Sequence, residues 1–199
     1  MPKSFLLLAL LTWASPADLG AQADYYVRIG AIGASNLLRD GLVSEITVRQ
    51  SIAPMVAIGG SLPIGPGYRA GVEASFASGG FHSTENGFET DLGTVRTGSL
   101  LVELGGIIAG PVRWRAGLGA LRYWPAETSG IFARGGTTRW LAGTGADYRR
   151  PVLTGWDLLA SLRYDYHRFN TEELRQRGFS QTQAVNRVSL SVGLARGGR

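Results

Sequence analysis

The chain has 199 residues, with 20 Lys and Arg against 15 Asp and Glu for a formal net charge of +5, and it has no cysteine. That length is the size of one domain. The missing cysteine excludes disulfides and thiolate-held metals.

The first element is a leader. Lys3 precedes the apolar run Phe5 to Leu11, and the small-x-small triplet Ala21-Gln22-Ala23 follows. A basic start, a short apolar core and small residues at the end describe a cleavable signal peptide over 1–23, with cleavage after Ala23 or, alternatively, Ala21. With Trp13 and Ala14 the apolar run is roughly 10 residues, half of the ~20 that a membrane-spanning helix needs. Residues 24–199 then form the single mature domain. Its arginines are spread singly along the chain rather than clustered, and an exported chain with that pattern is not expected to bind nucleic acid.

Behind the leader, apolar and polar residues alternate in eight successive runs. Successive side chains of a strand point to opposite faces, so each run predicts a strand with one greasy face and one polar face. The first spans Tyr25 to Ala34, with Val27, Ile29 and Ala31 against Tyr26, Arg28 and Gly30. The second spans Glu45 to Ile64. Its even positions, from Ile46 and Val48 to Ile64, are expected outward in one unbroken register, with Glu45 and Arg49 inward and a break at Pro54. At about 20 residues it exceeds the ~10 needed to cross a bilayer, so its first half should stand above the membrane.

The third strand, Tyr68 to Ser78, sets Val72, Ala74 and Phe76 against Arg69, Glu73 and Ser75. The fourth, Gly93 to Ile108, turns Leu100, Val102 and Leu104 outward and Glu103 inward. The fifth, Val112 to Tyr123, opposes Trp114, Ala116, Leu118 and Ala120 to Arg113, Arg115, Gly117 and Gly119. The sixth, Thr138 to Arg149, opposes Trp140, Ala142 and Tyr148 to Arg139, Gly143, Asp147 and Arg149. The seventh shows the pattern best: Trp156, Leu158, Ala160, Leu162, Tyr164 and Tyr166 interleave with Asp157, Ser161, Arg163, Asp165 and His167. The eighth, Ala184 to Ala195, opposes Val188, Leu190, Val192 and Leu194 to Arg187, Ser189 and Ser191.

Connections alternate in length. Short turns fall at Gly65-Pro66-Gly67, Gly110-Pro111 and Pro151 to Gly155, and longer polar loops at Ser35–Ser44, Gly79–Leu92, Trp124–Thr137 and Asn170–Gln183. An apolar outer face, a polar inner face and alternating loop lengths together predict an all-β fold. The expected form is an eight-stranded antiparallel up-and-down transmembrane β-barrel with short periplasmic turns and longer extracellular loops. Twenty-nine glycines, about twice the ordinary ~7% usage, suit the crowded wall of a narrow barrel.

Aromatic residues are expected at the two membrane interfaces, where amphipathic rings are favoured. Tyr68, Trp114, Tyr148 and Trp156 lie next to the short turns, and Trp140, Tyr164, Tyr166, Tyr123 and Trp124 toward the long loops. The candidate functional residues are the inward ionic ones: Arg28, Glu73, Glu103, Arg113, Arg115, Asp147, Arg149, Asp157, Arg163, Asp165, His167 and Arg187. Unpaired buried charges are costly, so these groups must pair or stay hydrated. A structural ionic network that plugs the lumen is the first reading, and a narrow ion path through it the alternative.

This organisation resembles the OmpA/OmpX-type family of small eight-stranded outer-membrane barrels. The likeness lies in the strand pattern across nearly all of residues 24–199 rather than in a specific motif. It implies an outer-membrane location, contact with outer-membrane lipid, insertion by the outer-membrane assembly machinery, and a structural or surface-interaction role through the extracellular loops, with any extracellular partner unspecified. Such barrels commonly end on an aromatic residue, whereas this sequence ends Arg196-Gly197-Gly198-Arg199.

Three other functions stay open: a lipid A-modifying enzyme, a small-solute channel, and a soluble secreted lipocalin-like binder. An enzyme would need a nucleophile, a base and an orienting acid together. The histidines are His82 and His167, and His82-Ser83 with Glu85 is the cluster to test. Neighbours on a strand face opposite ways, so that cluster is not expected to be catalytic. No cofactor and no metal site are expected, because two histidines without cysteine make a poor ligand set.

Overall fold

The computed structural model describes residues 23–40, 46–85, 87–127, 132, 135–176 and 182–197. The expected leader lies outside them except for Ala23, and so does Glu45. Ten strands run in chain order: β1 (Asp24–Ala34), β2 (Leu38–Asp40), β3 (Ile46–Gln50), β4 (Ala53–Gly65), β5 (Tyr68–Glu85), β6 (Phe88–Ala109), β7 (Val112–Pro125), β8 (Thr137–Leu153), β9 (Trp156–Phe169) and β10 (Gln183–Gly197). A short helix, α1 (Glu172–Gln176), sits between β9 and β10.

The strands close into a ring. β4, β5, β6, β7, β8, β9 and β10 pair antiparallel in sequence, and β1 joins β4 to β10. These are eight staves, because β3 and β4 form one interrupted stave that pairs throughout with β5. Closure pairs the staves around the whole ring, which is what a sheet bounded by hydrocarbon requires, although the β8–β9 ladder ends at Ala142 opposite Tyr166. Tight turns at Gly67, Gly110 and Gly155 carry positive φ and link β4–β5, β6–β7 and β8–β9 at one end. Asp24 of β1 pairs with Gly197 of β10 at that same end.

The alternation in the sequence becomes the two faces of the wall. Ile29, Ile58, Val102, Leu118, Leu162 and Leu190 all point outward and are exposed. An apolar belt around a whole molecule far exceeds the few hundred Å² that a water-soluble monomer leaves open. It is the surface of a protein solvated by hydrocarbon. Trp140 is the most exposed aromatic at 82%, and Tyr68, Tyr148, Trp156 and Tyr164 also face out, with Trp114 and Tyr166 partly covered.

Four expectations need correction. The second strand does not hold one register. Gln50 faces Phe81 and Met55 faces Ala77, so five steps on this stave span four on β5. The extra residue lies at Ser51-Ile52, not at Pro54, and the Ser51 amide still donates to the Gly80 carbonyl at 3.0 Å. One inserted residue inverts the alternation beyond it. Val48, expected outward, is therefore buried, and Arg49, expected inward, is exposed against Glu89 at 3.3 Å.

Residues Gly79–Leu92, expected as a loop, instead largely extend β5 and β6, which pair as far as Glu85 opposite Phe88, with Gly87 at φ 84°. Two other expected loops also carry structure: β2 lies within 35–44 and α1 within 170–183. Tyr123, expected at the membrane interface, points into the barrel and is fully buried.

Candidate functional site: the barrel interior

The inner face carries the ionic residues because its positions alternate with the lipid-facing ones on every stave. Register then decides whether they fit. Across the ladders, Arg28 stands beside Gly193, Glu73 beside Gly59, Glu103 between Gly71 and Gly117, Arg115 between Gly105 and Gly145, and Asp165 beside Gly143. A large inward side chain thus has a neighbour without one. A Cβ at Gly143 would collide with the Arg163–Asp165 pair. Much of the glycine content is the space that the ionic groups occupy.

Glu73 is the hub. It is 1% exposed. Its Oε2 accepts from Arg28, from Arg115 Nη1 at 2.5 Å and from the Tyr26 hydroxyl at 2.7 Å, while Oε1 accepts from Arg163 Nη1 at 2.7 Å. These donors come from β1, β7 and β9, so the bonds cross the lumen from several sides. Arg163 also reaches Glu103 at 2.9 Å and Asp165 at 2.6 Å. Asp147 lies 3.3 Å from Arg115 and 3.6 Å from Arg28. The Ser161 hydroxyl accepts from Arg28 at 2.5 Å and from Arg115 at 2.8 Å. Three guanidiniums facing four carboxylates thus form one connected tier, in which each buried charge has an opposite partner.

Below this tier, toward the tight turns, the sign reverses. Asp24 is ringed by Arg149 at 3.0 Å, Arg69 at 3.2 Å and Arg113 at 3.6 Å, with Asp157 half-buried on the same inner face. A cavity of about 260 Å³ lies here, lined by Tyr26, Arg69, Arg113, Arg115, Asp147 and Arg149 among others.

Above the ionic tier the interior becomes apolar. Leu101, Leu121, Tyr123, Leu141, Phe169 and Val185 pack inside the staves, and Leu37, Val48, Phe81 and Phe132 close over them. Phe132 comes from the β7–β8 connection. Its ring lies 5.8 Å from Phe81, 6.0 Å from Phe169 and 6.2 Å from Tyr123. Polar pairs also enter this layer: Tyr123 and His167 share a hydrogen bond of 2.7 Å, and buried Arg187 donates to Thr97 at 3.2 Å.

The structure therefore places Arg28, Glu73, Glu103, Arg115, Asp147, Arg163 and Asp165 together. Arg113, Arg149 and Asp157 lie in a separate lower group, and His167 and Arg187 among the apolar residues above. Tyr26, Ser161 and Asp24 are members that the sequence reading left out. Tyr26 and Ser161 lie on the inner alternation and were legible there; Asp24 sits beside the expected cleavage point. Of the His82-Ser83-Glu85 cluster, the Glu85 side chain lies outside the described ones. His82 is on β5 opposite Arg49 and Asp91, with Nδ1 3.8 Å from Glu89, while adjacent Ser83 stands opposite Val48 and Thr90.

No protein-family model and no curated protein matches the chain. Solved structures do. The crystal structure of Neisserial surface protein A superposes with a TM-score of 0.57 at 15% identity, covering 88% of this chain and 96% of that one. The outer membrane protein AlkL in lipid bilayers gives 0.53 at 12% identity, covering 88% and 90%. The outer membrane protein OprG from Pseudomonas aeruginosa gives 0.50 at 11% identity, covering 89% and 97%. At such identities the likeness is one of fold, and the fold is that of the small eight-stranded outer-membrane β-barrels.

Proposed function

We propose that this chain is an exported, integral outer-membrane barrel whose lumen is closed, and whose role is structural or surface-facing rather than catalytic or conductive. The observation that carries this reading is the coordination of Glu73 by arginines from β1, β7 and β9. Those bonds cross the lumen with paired charge, and the layer above is lined mainly by packed apolar side chains. The apolar belt supports a lipid-facing outer wall, delivered by the signal peptide and inserted by the outer-membrane assembly machinery. Function then falls to the surface beyond the membrane, where the long connections emerge.

The experiment is planar-bilayer recording on purified protein that shows a boiling-dependent mobility shift. A folded barrel with no ohmic conductance is the expected result. Steady unitary conductance would overturn the closed lumen. Recovery from the soluble periplasm without a mobility shift would overturn the membrane reading. Unchanged lipid A masses with and without the gene are expected for a non-enzymatic role.

A further inference from the structure

One seam of the barrel is open at its upper end. The β7–β8 ladder continues to Tyr123 opposite Thr137, and the β9–β10 ladder to Phe169 opposite Gln183. The β8–β9 ladder between them stops at Ala142 opposite Tyr166. Above that pair, residues 137–141 and 167–169 have no ladder partner across the seam. The two staves fork over five residues of β8, about 16 Å of strand.

A cavity of about 610 Å³ occupies the fork. Its outer lip is apolar and faces the lipid side, with Leu118 65% and Trp140 82% exposed. Three basic side chains also line it: Arg139 from β8, Arg168 from β9 and Arg175 from α1. Arg175 is paired with Glu172. Arg139 and Arg168 have no carboxylate partner among the described residues; Arg139 donates to the Thr138 carbonyl at 3.0 Å, and Arg168 reaches the Tyr166 hydroxyl at 3.4 Å.

The inner end of the cavity carries a second, independent sign of a missing partner. His167 is 1% exposed and lines the cavity; its Nε2 is engaged with Tyr123, but its Nδ1 has no hydrogen-bond partner among the described residues. The buried Nε of Arg139 is likewise unmatched among the described residues. Buried polar atoms without partners are uncommon in folded proteins and mark places where something else belongs.

Amphipathic walls at the level of Trp140, Tyr164 and Tyr166 select an amphipathic occupant. The tight turns and Asp24 lie at the opposite end, so the fork is at the long-loop level, where the outer leaflet presents its head groups. We infer that the β8–β9 fork seats a phosphate head group of an outer-leaflet glycolipid. Arg139 and Arg168 hold the phosphate, His167 Nδ1 meets a polar head-group atom, and the acyl chains lie on Leu118 and Trp140. Charge-assisted bonds from guanidinium to phosphate are the strong kind. The inference rests on the proposed membrane location.

The test is native mass spectrometry of the folded, detergent-solubilised barrel with bisphosphorylated lipid A, after each variant has shown its boiling-dependent gel shift and its insertion into vesicles. One tightly retained lipid A per barrel is expected. The double variant Arg139→Gln/Arg168→Gln should weaken it by about tenfold or more, while Arg96→Gln, exposed on β6 away from the fork, leaves it unchanged. Equal weakening by Arg96→Gln, or no retained lipid, would overturn the site in a barrel that still inserts. Displacement of lipid A by millimolar inorganic phosphate would overturn the lipid assignment in favour of a simple anion site. A chain that never inserts would refute the membrane reading itself and the fork site with it.

Discussion

The two levels of the interior are filled by different means. The middle tier is ionic, and all of its members come from the staves: Arg28, Glu73, Glu103, Arg115, Asp147, Arg163 and Asp165. The upper layer is apolar, and Leu37, Val48 and Phe132 enter it from outside the regular wall, namely the β1–β2 connection, the flipped β3 and the β7–β8 connection. A charge inside a lipid-bounded tube must meet a counter-charge at a fixed position, so the ionic tier belongs to the rigid wall. An apolar lid asks only for volume and shape, and connecting segments can supply both. The difference teaches that the wall satisfies its interior by pairing charges, whereas the mouth fills its interior by packing.

The comparison breaks first at Glu73. Glu73→Gln leaves three guanidiniums without their common anion, and breaking a buried pair on one side costs about 3–5 kcal/mol. Urea unfolding from lipid vesicles, followed by tryptophan fluorescence, should show that loss. A loss as small as that of a surface pair would mean that the tier does not brace the wall.

Phe132→Ala tests the lid. Phe→Ala in a core costs ~3–5 kcal/mol, and the lower end, about 3 kcal/mol, is expected because a connecting segment can settle into the gap. Glu73 and Phe132 share no partner, so the double variant should lose close to the sum of the two. Strong non-additivity in the same unfolding assay would merge the two levels into one unit.

Tyr123→Phe removes the hydroxyl bonded to His167 while keeping the ring against Phe132 and Phe169. The cost of stranding a buried polar atom is about 1–3 kcal/mol, less than the loss of the Phe132 ring. A cost larger than that of Phe132→Ala would shift the weight of the lid from packing to hydrogen bonding.

Arg49→Ala should do least. Its partner Glu89 is 3.3 Å away and both side chains are more than half exposed, so ~0–1 kcal/mol is expected from the same titration. A larger loss would give the β3 extension a bracing role that its exposure does not suggest.

Alternation alone determined the class of this fold and the facing of most wall residues, because a strand has a period of two and the two environments, hydrocarbon and lumen, demand opposite chemistry. That is why Glu73, Arg115 and Arg163 could be assigned to the interior and Leu118 and Leu162 to the exterior from residue order. Alternation has no signal for an inserted residue between two apolar runs, so the flip at Ser51-Ile52, which buries Val48 and exposes Arg49, needed the pairing with β5. Alternation did carry the signal for Tyr123, whose odd position on β7 shares the inner face with Arg113 and Arg115; only its nearness to the long-loop end suggested an interface ring, and it packs inward beneath Phe132. Which carboxylate serves which arginine was likewise decided by the tertiary structure, because neighbours across a closed lumen are set by stave order and stagger rather than by distance along the chain. The fork between β8 and β9 belongs to that level too: each strand by itself reads as regular, and only their divergence leaves Arg139, Arg168 and His167 around one cavity.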